Sequence, residues 1–532
     1  MIAYPCTVGQ GLQTNRRGFF MDRQAVIARR NALIEVTADG QQPLTGNIVR
    51  QLATPLTYTH LRDVEYDNRY DEVSGFHSRQ QAETRRLYSI SNTGGFCCLK
   101  GWRSRLTTIL QENGYAVQYI DHNPAKPADT YQADWLRVFD MFEMRPLQDT
   151  CLGQIDMHDG GVIEAPPAFG KSYMFGMLGV LYPRAKIDIV TKSKTVVATI
   201  RRHMTAWLPD IGQVGGGKRH NSRITVYTAA SLKHSQFDAD IVLADEVHQL
   251  MTDNYAEWLG RYWDARMFGF TASKETRFDN AYHRMEGLFG PTVFHLPYDK
   301  AAQLGVVVPI VVQWLHVTPG GRNPCRLLHT RTARKRHGIW RHDYRNQVIA
   351  SAARRFVDAG QQTLILVETL EHGLFLRRHL PNFQLCYAEQ GLSPDRRRIF
   401  VDAGLLGAEE QMTAARRDQL RRGFEAREYL GAIATPIWST GVSFDALQVL
   451  IRAEGSASET ANIQAPGRVC RIDNPTGKQC GIVVDCLDEF DKRFNTRAIG
   501  RRRAYNKQGW TQYNPDGTLW TSRSRRVGCS YG

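Results

Sequence analysis

Ala165-Pro166-Pro167-Ala168-Phe169-Gly170-Lys171-Ser172 follows the apolar run Gly161-Val162-Ile163-Glu164 and leads into Tyr173 to Leu181, whose composition predicts a helix. A short strand, a turn ending in Gly-Lys-Ser and then a helix is the local order a phosphate-binding loop requires. Amides at a helix start carry partial positive charge and point outward. Ala168, Phe169 and Gly170 are therefore placed to line a cradle for phosphate oxygens together with Pro167, which has no N–H and can only shape the loop, with the Lys171 ammonium neutralising charge and the Ser172 hydroxyl available to magnesium. Ala165 stands where the usual G-x-x-x-x-G-K-[ST] form has its first glycine.

Working outward, strand-like apolar runs alternate with helical patterns from about Gly161 to Asp485, the signature of βαβ units in parallel sheets covered on both faces. Ile187 to Val190, Ile224 to Tyr227 and Ile241 to Ala244 each end in a polar or Gly-containing turn, which puts functional loops at the strands' carboxyl ends. A second series, Thr363 to Val367, Gly431 to Ala434 and Gly481 to Val484, follows the Gly/Pro/Arg-rich stretch Thr318 to Pro324, read as a linker. The expected organisation is α/β: a small mixed α+β accessory domain over 1–135, expected to bind nucleic acid, a first lobe over 136–316, a second over 317–495 and a basic aromatic tail over 496–532. In the first domain Leu56 to Tyr58 and Leu87 to Ile90 predict strands and Trp102 to Asn113 a helix. The tail holds Arg501, Arg502, Arg503, Trp510, Trp520, Arg523, Arg525 and Arg526 with little apolar periodicity, and is expected to order on binding.

With 532 residues, 42% hydrophobic and 23% charged, the chain has the balance of a globular protein, which excludes disordered and collagen-like classes. No run of eighteen apolar residues occurs and the start lacks a signal peptide's apolar stretch, so a cytoplasmic protein without membrane association is expected. Ten scattered cysteines, Cys97 and Cys98 adjacent, show no C-x-x-C pairs at zinc spacing; reduced, mostly structural thiols are expected. A formal charge of +15 favours a polyanionic partner, because Lys and Arg that displace condensed counterions supply most non-specific affinity for nucleic acid.

Asp245-Glu246-Val247-His248 comes directly after the apolar run Ile241 to Ala244. Two adjacent carboxylates at a strand end repel unless a cation sits between them. Asp245 is suited to hold magnesium and Glu246 to act as the general base on an attacking water.

With this D-E-V-H box the sequence resembles the superfamily 2 helicases, and the resemblance covers about residues 140 to 490. It implies two tandem RecA-like P-loop lobes, ATP and Mg2+ as cofactors, and a nucleic-acid-stimulated ATPase. Phe268 to Ser273 resembles the coupling motif, so Thr271, Ala272 and Ser273, with His248, are expected to link hydrolysis to lobe movement. Thr191-Lys192-Ser193-Lys194 and Tyr227 to Leu232, through Thr228 and Ser231, resemble strand-contacting loops. In the second lobe Ala434 to Ser443 resembles the motif that supplies Thr435 and Thr440 to the nucleic acid and Gly441 to the nucleotide; Ser443 stands where many relatives have Asp. Gln464-Ala465-Pro466-Gly467-Arg468-Val469-Cys470-Arg471 matches the Q-x-x-G-R-x-x-R pattern, which implies that Gln464, Arg468 and Arg471 enter the cleft and stabilise charge on the transferring phosphoryl group. Within the class the likeness is to phage UvsW-type helicases, XPB-type repair translocases and restriction-enzyme motor subunits. Arg145-Pro146-Leu147-Gln148 is similar to their R-x-x-Q element, in which Gln148 reads the adenine edge, and Gly287 to Pro291, Asp485 and Asp488 also fit.

The expectation is therefore a monomeric, ATP-driven DNA helicase or translocase, RNA being the less favoured partner. Two other readings stay open: a duplex translocase that does not separate strands, as in restriction or packaging motors, and a nucleic-acid-binding scaffold with an ATP-controlled switch. Glu246 and the Arg468/Arg471 pair disfavour the last, since a silent site needs neither.

Overall fold

The computed structural model describes residues 23–39, 42–65, 78–192, 194–272, 283–318, 323–389, 392–438, 444–455 and 465–521. These fall into two compact units, one within 1–57 and 86–125, the other within 58–85 and from 126 onward.

The smaller unit is a mixed sheet of β1 (Arg23–Arg30), β2 (Leu33–Ala38), β5 (Tyr88–Ile90), β6 (Phe96–Leu99) and β7 (Tyr115–Asp121) in the order β5-β6-β2-β1-β7. Strands β1 and β2 are antiparallel while β1 and β7 are parallel. Period-two alternation sends Ala25, Ile27, Ile34 and Val36 into a core with Ile48 and Leu52 of the helix Gly46–Ala53 and Leu106 and Leu110 of the helix Arg103–Glu112. The intervening β3 (Thr57–Glu65) and β4 (Ser78–Arg86) pair only with each other among the described residues, and residues 58–85 belong to the larger unit, where Arg85 Nη1 meets Asp253 Oδ1 at 2.9 Å. The first domain is thus interrupted and not continuous over 1–135.

In the larger unit two sheets follow one another. The first has the order β11-β10-β12-β9-β13-β14-β8-β15, built from β8 (Gly160–Glu164), β9 (Ile187–Thr191), β10 (Ile211–Gly215), β11 (Lys218–His220), β12 (Ile224–Thr228), β13 (Ile241–Ala244), β14 (Arg266–Thr271) and β15 (Thr292–His295). All its pairings are parallel except β10 with β11. β9, β12 and β13 are buried along their whole length, which is why apolar residues dominate them, with Asp188 in β9 and Thr225 in β12 among the buried polar exceptions. The second sheet, parallel throughout, has the order β18-β19-β17-β20-β21-β16-β22, from β16 (Ile310–His316), β17 (Thr363–Leu366), β18 (Gln384–Cys386), β19 (Gly431–Ala434), β20 (Val449–Arg452), β21 (Gly481–Leu487) and β22 (Thr511–Tyr513). The fold is therefore α/β with two tandem RecA-like lobes.

Two boundaries move. β16 pairs with β21 along its length, so lobe 2 begins before Ile310 and not at 317, and the Gly/Pro/Arg-rich stretch is an excursion inside that lobe. Residues 496–521 are not a separate tail: the helix Lys492–Lys507 packs on the second sheet and β22 extends its edge beside β16. Arg501 lies 1% exposed with Nε and Nη2 each 2.9 Å from the Asp485 carboxylate, to which Tyr505 Oη also donates at 2.7 Å. The rest of the expected tail, with Arg523, Arg525 and Arg526, lies outside the described residues. Among the described residues no helix is long and apolar enough to cross a membrane, and the cysteines are free thiols.

Candidate functional site

The phosphate loop spans the carboxyl end of β8 and the start of the helix Lys171–Leu181. Ala168 and Gly170 adopt φ of +70° and +91°, left-handed conformations of the kind from which backbone amides form anion-binding concavities. Glycine is needed at 170 for two reasons: the positive φ, and a Cβ there would lie 2.7 Å from Gln148 Nε2.

Gln148, expected at the adenine edge, is 1% exposed. Its Nε2 donates to the Phe169 carbonyl at 2.8 Å and its Oε1 accepts from the Arg145 amide at 2.9 Å, while Arg145 Nη1 donates to the Ala168 carbonyl at 2.9 Å. The R-x-x-Q element thus fixes the backbone of the phosphate loop from beneath.

Asp245 and Glu246 leave β13, two strands from β8 across β14. Lys171 Nζ is 3.1 Å from Glu246 Oε1, joining the loop to the acidic pair. Burial, followed by the Glu246 charge, raises the Asp245 pKa to about 7, opposed by Lys171, by the Glu246 amide and by the Thr191 hydroxyl. A buried carboxylate beside a second one is the donor set that a divalent cation completes. Ser172, in the first turn of the helix Lys171–Leu181, adds a hydroxyl, so Ser172 and Asp245 are the residues that could hold a divalent cation. His248, 3% exposed, brings Nδ1 to 2.9 Å from Thr271 Oγ1 at the end of β14 and to 3.6 Å from Glu246 Oε2. The acidic pair and the end of β14 are in contact through that imidazole. Ala272 follows Thr271 at the strand end, half-buried.

The expected nucleic-acid positions separate into two groups. Lys192 and Lys194 are exposed. Thr191, Thr228 and Thr435 are buried, Thr191 bonding Asp245 and Thr228 Oγ1 lying 2.8 Å from Ser231 Oγ. These threonines shape the loops from within and their side chains do not face solvent. Ser193, Ser273, Thr440, Gly441 and Gln464 lie outside the described residues.

Lobe 2 brings the turn Pro466–Arg468 against the phosphate loop of lobe 1. A Cβ on Gly467 would sit 2.4 Å from Pro167 Cγ, and Cys470 Sγ is 3.4 Å from the Pro167 carbonyl oxygen. Burial, reinforced by Arg471, lowers the Arg468 pKa to about 10. Arg471 Nη1 is held by Asp445 Oδ1 at 2.8 Å, and Lys478 Nζ caps the Leu447 carbonyl at 2.6 Å behind it. Asp445, Cys470 and Lys478 were not singled out in the sequence. Asp445 had a signal: it lies two residues past Ser443, where relatives carry the acid, and it supplies Arg471 with a carboxylate.

Two RecA-like lobes, a Gly170-Lys171-Ser172 loop joined by Lys171 to an adjacent Asp-Glu pair, and an arginine-bearing turn from the second lobe seated on that loop define a two-lobed α/β architecture with a candidate site at the lobe junction. No protein-family model and no curated protein matches the sequence. Among solved structures the chain is similar to T4 UvsW, at 14% identity over 92% of this chain and 99% of that one with a TM-score of 0.38. It is also similar to the fragment structure of a putative HsdR subunit of a type I restriction enzyme from Vibrio vulnificus YJ016, at 14% over 92% and 89% with 0.49. S. cerevisiae Dbp5 bound to RNA and ADP BeF3 matches at 12% over 74% and 96%, also with 0.49.

Proposed function

We propose that this chain is an ATP-driven nucleic-acid motor of the superfamily 2 helicase class, translocating on or unwinding duplex or branched DNA in replication, recombination or repair. The observation that carries the reading is the seat of the Gly467 turn on Pro167, which sets an arginine-bearing segment of one lobe directly against the phosphate loop of the other. An ATP bound there touches both lobes, so its binding and loss change how strongly the lobes hold together.

Within that site Lys171 and Glu246 have linked duties. Triphosphate oxygens draw the Lys171 ammonium away from Glu246, and the released carboxylate takes a proton from the attacking water. The water oxygen bonds the γ-phosphorus as the bond to the β-phosphate bridging oxygen breaks, leaving ADP and phosphate. Magnesium, held through Ser172 and Asp245, would neutralise charge on the β- and γ-phosphates. Arg468 and Arg471 stabilise the transferring group, Arg471 exchanging Asp445 for phosphate oxygen, a kind of contact worth roughly 10³- to 10⁵-fold in rate. His248 and Thr271 then pass the change at Glu246 to the end of β14.

DNA is preferred over RNA on the motif resemblance, since a sequence-independent grip on a phosphate backbone serves either. Phosphate release by wild type and Glu246→Gln, with and without single-stranded, duplex, forked and four-way DNA and matched RNA, tests the proposal. The expected result is turnover stimulated by DNA and abolished in the variant. Equal low rates for both proteins on every substrate would favour the scaffold reading instead.

A further inference from the structure

Lobe 2 carries a cationic surface that none of the motif positions uses. Between β16 and the helix Asp343–Asp358 an excursion packs through Cys325, Ile339 and Trp340 onto Phe494 of the helix Lys492–Lys507. A Cβ on Gly338 would come within 2.5 Å of the Phe494 ring, so the two segments are in close contact.

The carboxylates at this junction are engaged internally. Asp491 holds Arg334, Glu368 holds Lys335 and the Trp340 indole, Glu371 holds Arg336 and Arg341, and Asp488 holds Arg345. Glu489 is exposed but pairs with His316 at 2.7 Å, and the other outward charges are positive. Arg326, Arg331, Lys492 and Arg493 are exposed and Arg497 is half-buried, and among the described residues none of them has a carboxylate within ion-pair distance. Arg493 and Arg497 stand one turn apart on the same helix, and burial, then repulsion from Arg331 across the junction, lower the Arg497 pKa against a partial attraction from Glu368 and Asp491. Crowding guanidinium groups while turning the acids inward is unfavourable alone and favourable beside a polyanion.

The position suits such a partner. The excursion reaches Glu368 just past β17, and β17 pairs with β19, whose own end carries Thr435. The cations therefore flank the carboxyl ends of the second sheet, where parallel α/β sheets place ligands.

We propose that Arg326, Arg331, Lys492, Arg493 and Arg497 form a second nucleic-acid contact, gripping the phosphate backbone outside the helicase motifs. This rests on the motor reading above. The contact is sequence-independent, and it binds the duplex flanking the segment held between the lobes.

The test is a salt titration of the full chain on a 30-base-pair duplex, as DNA and as RNA, followed by fluorescence anisotropy (the probe length is about three helical turns). Wild type is compared with the triple variant Arg331→Ala, Arg493→Ala, Arg497→Ala and with the corresponding triple Lys variant. An Arg398→Ala, Arg422→Ala control removes charge where Asp402 and Asp418 lie one turn away. The Ala triple is expected to lose roughly tenfold or more in affinity at low salt and to flatten the slope of log affinity against log salt by about 2 to 3, with the Lys triple and the control close to wild type. Turnover of ATP without nucleic acid should be unchanged. An Ala triple with the wild-type slope overturns the proposal while leaving the motor reading intact, and an equal loss in the Lys triple overturns it as a packing effect. A wild type that binds neither duplex overturns the motor reading, and this inference with it.

Discussion

Gly467 has no room for a side chain, because the nearest atom to its would-be Cβ is Pro167 Cγ at 2.4 Å, part of a rigid ring in the other lobe. Gly467→Ala should therefore hold the arginine turn about an ångström off the phosphate loop and lower stimulated ATP turnover by about 100-fold, since misplacement on that scale costs catalysis that much. A thermal melt should be unchanged; full turnover in the variant would mean the seat is incidental. Asp188, in the middle of β9, makes a prediction of another kind. It accepts from Tyr262 Oη at 2.6 Å and Ser235 Oγ at 3.2 Å, yet burial lifts its pKa from 3.8 to about 6. The native state therefore binds this proton more tightly than the unfolded chain. That contribution is complete below about pH 3.8 and is lost as pH rises through 6, leaving an ionised buried group that costs up to about 3 kcal/mol. Asp188→Asn keeps an acceptor for Tyr262 and carries no charge. Its melting temperature should exceed wild type by a few degrees at pH 7.5, with the gap closing toward pH 4; a gap independent of pH would reject the assignment.

At the scale of elements, the helix Lys492–Lys507 and β22 read in sequence as a basic tail because their cations are spaced without an obvious apolar stripe. The buried face is made of Phe494, Ala498, Arg501, Ala504 and Tyr505, and an arginine in the centre of such a face hides it from a hydrophobicity reading. Arg501 is tolerated there only because Asp485, which the strand pattern did mark, supplies a fully buried partner. The nucleotide motifs were legible for the opposite reason: the phosphate loop, the acidic box and the arginine turn are short, local, and tied to strand ends that burial on both faces makes conspicuous. Contacts across the fold were not legible. Nothing local in Gln148 says that its amide will be used on Phe169, or in Thr191 that its hydroxyl will face Asp245. Ending the chain after Ile499 removes Arg501, Tyr505 and Gln512, leaving Asp485 without its ion pair and the Trp314 indole N–H without its acceptor. Breaking a buried pair from one side costs about 3–5 kcal/mol. The truncated chain should melt at least several degrees lower or fail to accumulate as soluble protein, and a wild-type melt would show that these residues are an appendage after all.

For the molecule as a whole, most of the charge lies apart from the candidate catalytic site. The formal charge of +15 is spread over many Lys and Arg, whereas the candidate nucleotide site holds Lys171 inside a pair with Glu246 and Arg468 half-buried. Affinity for a polyphosphate scales with the number of cations that displace counterions, so losing one that already faces a carboxylate changes it little. The same lysine is the cation nearest the acidic pair, and its loss removes the group that opposes burial and repulsion at Asp245. Lys171→Ala should thus abolish ATP turnover while nucleic-acid affinity at low salt, and the slope of its salt dependence, stay near wild type. The comparison needs phosphate release and anisotropy on the same preparation. Parallel loss of both would mean that binding depends on nucleotide-driven closure of the lobes, and the surface cations of lobe 2 would then act only after the cleft between the two sheets has closed.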